Sequence, residues 1–317
     1  MVRLPPTRAP PTLNPRRLVE ILQELRERGT LKAETDPGLA AWLQEAPRTL
    51  YCGFDPTGDS LHIGNLVPLM ALKRFALAGH RPIALLGGAT GMIGDPSGRD
   101  AERHLLDDET VGANLTGIRR DIERVLGEHD VTILNNRDWI GPLTVVQFLR
   151  DIGKHFRVNV MVKLDSVRTR LEREEGISYT EFSYSLIQAY DFLHLARVAD
   201  CQLQIGASDQ WGNITAGLDL IRSVEGKHAF GLTLDLLLDA EGKKFGKSSG
   251  GGGLFLSPER TPPYALYQHL LNTSDDGSPR SEVDRYLRIF SLRPLLEIEE
   301  LIREHDRDRA ARLAQRT

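Results

Sequence analysis

The sequence predicts an α/β fold in which helices cover both faces of a parallel sheet, a doubly wound, Rossmann-like arrangement. Three observations predict it. Short apolar runs of strand type alternate with segments of helical period. Several of the runs end in turns rich in Gly, Asp and Asn. From Pro262 onward only helical periodicity remains, which adds a helical C-terminal unit. Strands alternating with helices imply right-handed crossovers and ligands beyond the carboxyl ends of the strands.

The elements follow in order. Leu18, Leu22 and Leu25 lie at helical spacing and the segment stops at Gly29, giving a first helix. A second helix follows Asp36-Pro37. The run T-L-Y-C-G-F-D at 49–55 reads as a buried strand, then a helix runs to Gly79, then R-P-I-A-L-L at 81–86 is a strand. Thr110 to Leu126 is periodic and helical, V-T-I-L-N at 131–135 is a strand, and Leu143 to Ile152 is expected to be helical after Gly141-Pro142. A long helix covers 181–196, C-Q-L-Q-I at 201–205 is a strand, and Asn213 to Val224 is helical. After 229–239 the character changes: E-G-K-K-F-G-K-S-S-G-G-G-G at 241–253 holds too much glycine for regular structure.

At 317 residues the chain is long enough for one large domain and a smaller one. Its 40 Lys+Arg against 44 Asp+Glu leave a net charge of −4, so any contact with nucleic acid must come from local patches. Cys52 and Cys201 form no C-x-x-C pair, which leaves no zinc ribbon or disulfide framework and fits a reducing, cytoplasmic location. The basic start is broken by Pro5, Pro6, Pro10, Pro11 and Pro15, so residues 1–17 are expected to be a disordered tail, not a transit helix. The longest apolar stretches are too short and glycine-rich to span a bilayer.

Three segments follow strand ends and would line one crevice: F-D-P-T-G-D-S-L-H-I-G-N at 54–65, G-G-A-T-G-M-I-G-D-P-S-G-R at 87–99, and G-A-S-D-Q-W-G-N at 206–213. In the first, Pro68 is tolerated near a helix start, which predicts a helix beginning near Gly64. His62 and Asn65 would then stand at the positive end of its dipole beside free N–H groups, a place suited to an anion. In K-K-F-G-K-S, Lys244 and Lys247 sit on a glycine-hinged loop that could bring two ammonium groups to a polyphosphate. The loop is not a Walker A motif. Tyr184, Gln188 and Asp191, at i, i+4 and i+7, share one helical face and offer three kinds of polar group to a small ligand.

In this order and at these intervals, the segments resemble the catalytic core of tyrosyl-tRNA synthetases, class I aminoacyl-tRNA synthetases of bacterial type. Y-C-G-F-D-P-T, H-I-G-N, G-G-A-T-G-M-I-G-D-P-S-G, F-S-Y-S-L-I-Q-A-Y-D-F, L-Q-I-G-A-S-D-Q-W-G-N-I and K-F-G-K-S carry the likeness, from about Leu18 to the end of the chain. The resemblance implies ATP-dependent activation of L-tyrosine to tyrosyl-adenylate with release of pyrophosphate, then transfer to tRNA(Tyr). It implies catalytic roles for Thr57, His62, Asn65, Lys244 and Lys247. Tyrosine would be held by Tyr51, Asp95, Tyr184, Gln188, Asp191 and Gln210. ATP would be held by Gly53, Asp55, Gly64, Gln204, Asp209, Arg99, Arg103 and Lys247, with Mg2+ carried by ATP and no protein metal site. Tyr51 and Asp191 would grip the phenol. A buried pair left unpaired by phenylalanine disfavours it, a discrimination for which tyrosyl-tRNA synthetases are well known.

The resemblance also implies a domain plan: a catalytic domain over 18–242, a connective insertion at about 136–171 forming a homodimer interface, a mobile signature loop at 243–253, and the start of an anticodon-binding helical region over 254–317. The chain looks truncated before the family's C-terminal RNA-binding domain. It departs from the family pattern at Asn65, where the motif has a second histidine, at Arg99 for lysine, at Ala207 for glycine, and in the long run Gly250 to Gly253. Two competing readings leave features of the sequence unexplained or unused. A different nucleotidyl transferase would leave Tyr51, Asp191 and K-F-G-K-S unexplained. A non-catalytic RNA-binding protein could use K-H-F-R at 154–157 and R-T-R-L-E-R at 168–173, yet His62 and both lysines are retained.

Overall fold

A computed structural model describes residues 21–97, 105–127, 131–173, 176–237, 253–273 and 281–304. Its centre is a six-stranded sheet ordered β1-β6-β5-β2-β3-β4, with β1 Leu31–Glu34, β2 Thr49–Phe54, β3 Arg81–Leu86, β4 Thr132–Asn135, β5 Cys201–Ala207 and β6 Phe230–Leu234. All neighbours pair in parallel except β1, which runs antiparallel to β6. The all-parallel expectation is corrected at that edge. β1 is four residues with only partial burial, L-K-A-E, too short and too polar to announce itself as a strand.

The helices used below are α1 Ile21–Glu27, α2 Leu39–Glu45, α3 Ile63–Leu77, α4 Asp108–Leu126, α5 Asp165–Leu171, α6 Tyr179–Ala199, α7 Trp211–Glu225, α8 Pro263–Leu271, α9 Glu282–Phe290 and α10 Leu295–Glu304. Side-chain alternation along β2 shows how they divide between the faces. Leu50, Cys52 and Phe54 join one core with α1, α2, α3 and α4, whereas Tyr51 joins a second core with Phe192 and Leu193 of α6 and Leu220 and Ile221 of α7. The sheet is therefore covered on both sides.

Local chemistry sets the helix ends. The Asp107 side chain accepts the N–H of Thr110 at the start of α4, and Ser178 accepts that of Glu181 at the start of α6. α4 and α7 stop at Gly127 and Gly226, both at φ 62°, a conformation glycine adopts without a Cβ penalty.

Two expectations are corrected. α3 starts at Ile63, so Pro68 lies inside the helix, not in its first turn. Tertiary packing offsets the lost hydrogen bond, since the helix buries Val67, Leu69, Met70, Leu72 and Phe75 around it. Leu143–Ile152 is not one α-helix: Val145–Gln147 is a single turn, Phe148–Ile152 is π-helical, and Gly153–His155 is a 3₁₀ turn. Its apolar side chains divide: Ile152 lies in the second core with Leu143 and Phe148 packed against it, whereas Val145, Val146 and Leu149 are 73%, 71% and 49% exposed, so only part of the segment is anchored to the core.

The expected tail at 1–17, nearly all of the 243–253 loop and the last residues of the 254–317 region lie outside the described residues. Within the described part, α8, α9 and α10 form the C-terminal helical unit. It is fastened to the sheet domain by two buried arginines. Arg28 donates to the carbonyls of Arg288, Ser291 and Arg293 at 2.9, 3.2 and 2.7 Å. Arg74, on α3, donates to those of Ile289 and Ser291 at 2.8 and 2.7 Å. Together they satisfy the open carbonyls at the end of α9.

Candidate active site

β2 is the switch point of the sheet: the chain moves outward to β3 and β4, then returns to lay β5 on the other side of β2. Beyond the carboxyl ends of β2, β3 and β5 lies a cleft of about 520 Å³, within the range of small-molecule sites. It is lined by Tyr51, Gly53, Asp55, Thr57, His62, Gly64, Asn65, Asp95, Tyr184, Gln188, Asp191, Gln204, Asp209 and Gln210, all fourteen of the described residues expected from sequence. Arg99, Arg103, Lys244 and Lys247 lie outside the described residues.

At the closed end, Tyr51 is 1% exposed and its hydroxyl has no hydrogen-bond partner among the described residues. Burial, reinforced by the neighbouring Asp191, pushes the phenol pKa well up. Asp191 accepts from Trp139 Nε1 at 2.8 Å and Asn136 Nδ2 at 2.9 Å. Burial lifts its carboxyl to about 7, those two donors pull it back, and Asp55 adds to the rise. Trp139 is held in turn by stacking on His194, centroids 4.4 Å apart.

A second polar cluster lies along α6. Tyr184 Oη donates to Asp55 Oδ2 at 2.8 Å and Thr90 Oγ1 donates to Asp55 Oδ1 at 2.7 Å. Asn136 Nδ2 reaches Thr90 Oγ1 at 3.0 Å, so one amide links the Asp55 and Asp191 groups. Gln188 Nε2 donates to Gln210 Oε1 at 3.3 Å, and Gln210 Nε2 donates to Asp95 Oδ2 at 2.6 Å. Asn213 Nδ2 donates to Gln210 Oε1 at 3.1 Å, and the Ser97 N–H to Asp95 Oδ1 at 2.9 Å. Burial raises the Asp95 carboxyl against the pull of these bonds. Asp55 therefore stands among the groups assigned to the amino acid, although the resemblance gave it to ATP. Gln204, 2% exposed, is paired in register with Tyr51, and its Oε1 has no hydrogen-bond partner among the described residues.

At the other end, His62 is the N-cap of α3. Its Nδ1 accepts the Gly64 N–H at 3.1 Å and Asn65 Oδ1 accepts the His62 N–H at 3.0 Å, a reciprocal capping box. An Nδ1 that accepts carries no proton, so the ring's N–H is on Nε2. The expectation of free N–H groups here is corrected: the Ile63 N–H donates to Leu254 O and that of Asn65 to His62 O, both at 2.8 Å. Gly53 opens onto the cleft with nothing within 4 Å of where a Cβ would stand, so a ligand can approach the backbone. Among the described lining residues there are four aspartates and no Lys or Arg.

Sequence reasoning missed Asn136, Trp139, Thr90 and Asn213. The first two lie in N-N-R-D-W, directly after β4, and the strand-end rule that picked out three loops would have picked out this fourth.

The chain is similar to known proteins over most of its length. The chain is 50% identical over 302 residues to the tyrosine–tRNA ligase of Opitutus terrae, covering 93% of this chain and 69% of that protein. It is 52% identical over 305 residues to that of Bacillus caldotenax, covering 93% and 71%. Its fold matches a C-terminally truncated Aspergillus nidulans mitochondrial tyrosyl-tRNA synthetase with a TM-score of 0.80 at 29% identity, over 93% of this chain and 86% of that one. An Archaeoglobus fulgidus tyrosyl-tRNA synthetase solved with L-tyrosine shares the fold, with a TM-score of 0.69 at 16% identity over 93% and 95%. With residues 43–317 matching the family described as tRNA synthetases class I (W and Y), the chain belongs to the class I tRNA synthetases of the tryptophan and tyrosine branch.

Proposed function

We propose that this chain is a tyrosine–tRNA ligase: it joins L-tyrosine to ATP, releasing pyrophosphate, and passes the tyrosyl group from the adenylate to tRNA(Tyr) in translation. The observation that carries the choice of tyrosine is the buried Tyr51 hydroxyl, without a partner among the described residues, beside the Asp191 carboxylate. A substrate phenol can donate to Asp191 and accept from Tyr51, whereas a phenyl or indole ring leaves Tyr51 unpaired.

The substrate ammonium faces Asp95, Tyr184 and Gln188, with Gln210 beside the carboxylate and Asp55 and Gln204 supporting the same end. That carboxylate is ionised at neutral pH and needs no general base. It attacks the α-phosphorus, an acyl–phosphate bond forms as the α–β phosphoanhydride breaks, and pyrophosphate departs with the electron pair. Gly53 and Asp209 sit by the ribose. His62 offers Nε2–H to the phosphates, with Thr57, Gly64 and Asn65 beside it. Catalysis is positioning and charge stabilisation. Since the described lining is acidic, the cations that offset the triphosphate are assigned to Arg99, Arg103, Lys244 and Lys247, together with magnesium arriving as part of the ATP substrate. In the second step a terminal ribose hydroxyl of the tRNA attacks the acyl carbon and AMP leaves.

Exposed Val145, Val146, Leu149, Val158 and Val160 fall in the segment 136–171, and their apolar surface supports a homodimer through it. No described helix is long and apolar enough to cross a membrane, and both cysteines are free; a cytoplasmic location suits both. The test is tyrosine-dependent exchange of pyrophosphate with ATP, expected with tyrosine and negligible with phenylalanine or tryptophan. Equal exchange with phenylalanine would overturn the reading. For the phosphate end, His62→Ala should slow adenylate formation with little change in tyrosine affinity.

A further inference from the structure

We infer that Asp121, on the sheet side of α4 and outside the cleft, is a positioning residue for the phosphate end of the site and acts through the Ser60–Leu61 turn on His62. The inference rests on the assignment of His62 to the phosphates.

Asp121 is 1% exposed and does not line the cleft. Its Oδ2 accepts from Ser60 Oγ at 2.7 Å and from the Leu61 N–H at 3.0 Å, and its Oδ1 accepts from Arg124 at 3.1 Å. The same donors and acceptors hold a second segment. Ser60 Oγ accepts the Ser257 N–H at 3.0 Å, and Arg124 donates to Leu256 O at 3.1 Å. Leu256 N–H donates to Leu61 O and Ile63 N–H to Leu254 O, both at 2.8 Å, so His62 sits in an antiparallel bridge opposite Phe255.

One buried carboxylate therefore fixes the residue before His62 directly and its cross-strand neighbours indirectly. The consequence falls on the imidazole. Its Nδ1 must stay on Gly64 N–H for Nε2–H to be the donor, and that requires the extended backbone of His62, φ −115° and ψ 170°. Asp121 is tied to the backbone at Leu61, and among the described residues its hydrogen-bond partners are Ser60, Leu61 and Arg124, none of them at the amino-acid end of the cleft, so its influence falls on the phosphate end.

The test uses the full chain with Asp121→Asn, which keeps the size and removes the charge. Single-turnover adenylate formation should slow by roughly 10–100-fold, as expected of a displacement on the order of 1 Å, while the dissociation constant for tyrosine stays within about twofold. In the double variant with His62→Ala, the rate should fall no further than in His62→Ala alone, because both changes remove one function. If Asp121→Asn does not fold, Ser60→Ala cuts the same link and should show the same kcat-weighted loss. An unchanged rate in Asp121→Asn beside a slow His62→Ala overturns the positioning role and leaves the site reading standing. So does multiplication of the two effects. An unchanged rate in His62→Ala overturns the phosphate assignment itself, and this inference with it.

Discussion

The indole N–H of Trp139 donates to Asp191 Oδ1 at 2.8 Å, which aims one carboxylate oxygen and fixes the polar floor of the cleft from behind. Asp191 is thus held by Trp139, which does not line the cleft, and by Asn136, which does.

Its ionisation should be visible in tyrosine binding. Burial lifts the Asp191 carboxyl to about 7, and a phenol donates better to the ionised form. Tyrosine affinity should therefore weaken as pH falls through about 7, measured by equilibrium titration. Stability moves the other way. A carboxyl raised above its unfolded value favours the native state fully below that value, near 4, and the contribution is lost as pH rises through about 7. Asp191→Asn should abolish both trends and lower tyrosine activation by at least about 10²-fold.

Asn65→Ala removes one half of the capping box while leaving His62 Nδ1 on Gly64. Chemical denaturation should show a loss of about 0.5–2 kcal/mol. Asn65→Asp keeps an acceptor for the His62 N–H and should retain that stability, but its negative charge beside the phosphates should raise the KM for ATP.

Arg74→Met tests the fastening of α9. Burial pulls the guanidinium down to about 9, and the side chain reaches the carbonyls of Ile289 and Ser291. Its removal should cost about 3 kcal/mol, read from the denaturation midpoint, because buried acceptors are left short of donors. Added salt should change that figure little, since the contact is buried.

Gly117→Ala probes the packing of α4 under the first cleft loop. A Cβ there would stand 1.9 Å from the Asp59 carbonyl oxygen, a backbone atom that cannot turn aside. The helix and the loop must separate, so a loss of about 1–3 kcal/mol is expected together with a raised KM for ATP.

Much of this was legible in the chain. Alternation of apolar runs with helical periods located four of the six strands, β2 to β5, and strand-end turns located the cleft loops, because both are local patterns. What stayed hidden was set by tertiary contact. β1 is a strand only because β6 offers it an edge, and Phe148–Ile152 is π-helical with Ile152 in the core and Leu149 exposed, an arrangement that residue spacing does not announce. Spacing puts His62 and Asn65 at one helix end, but their capping box is a matter of side-chain direction that spacing alone does not reveal. Asn136 and Trp139 reach Asp191 across more than fifty residues of sequence, a distance over which no periodicity speaks.

The arginine clamp has a consequence for how the chain is made. Arg28 leaves the ribosome early, and its acceptor on Arg288 is 260 residues away. At roughly 5–20 residues per second, its partner arrives about 10–50 s later. For most of that interval, once Arg74 has also been made, the nascent sheet domain holds two cations meant for burial, without their partners until α9 emerges. Synthesis itself thus delays the sealing of this face, and a chain stalled before residue 288 would remain open there for chaperones to recognise.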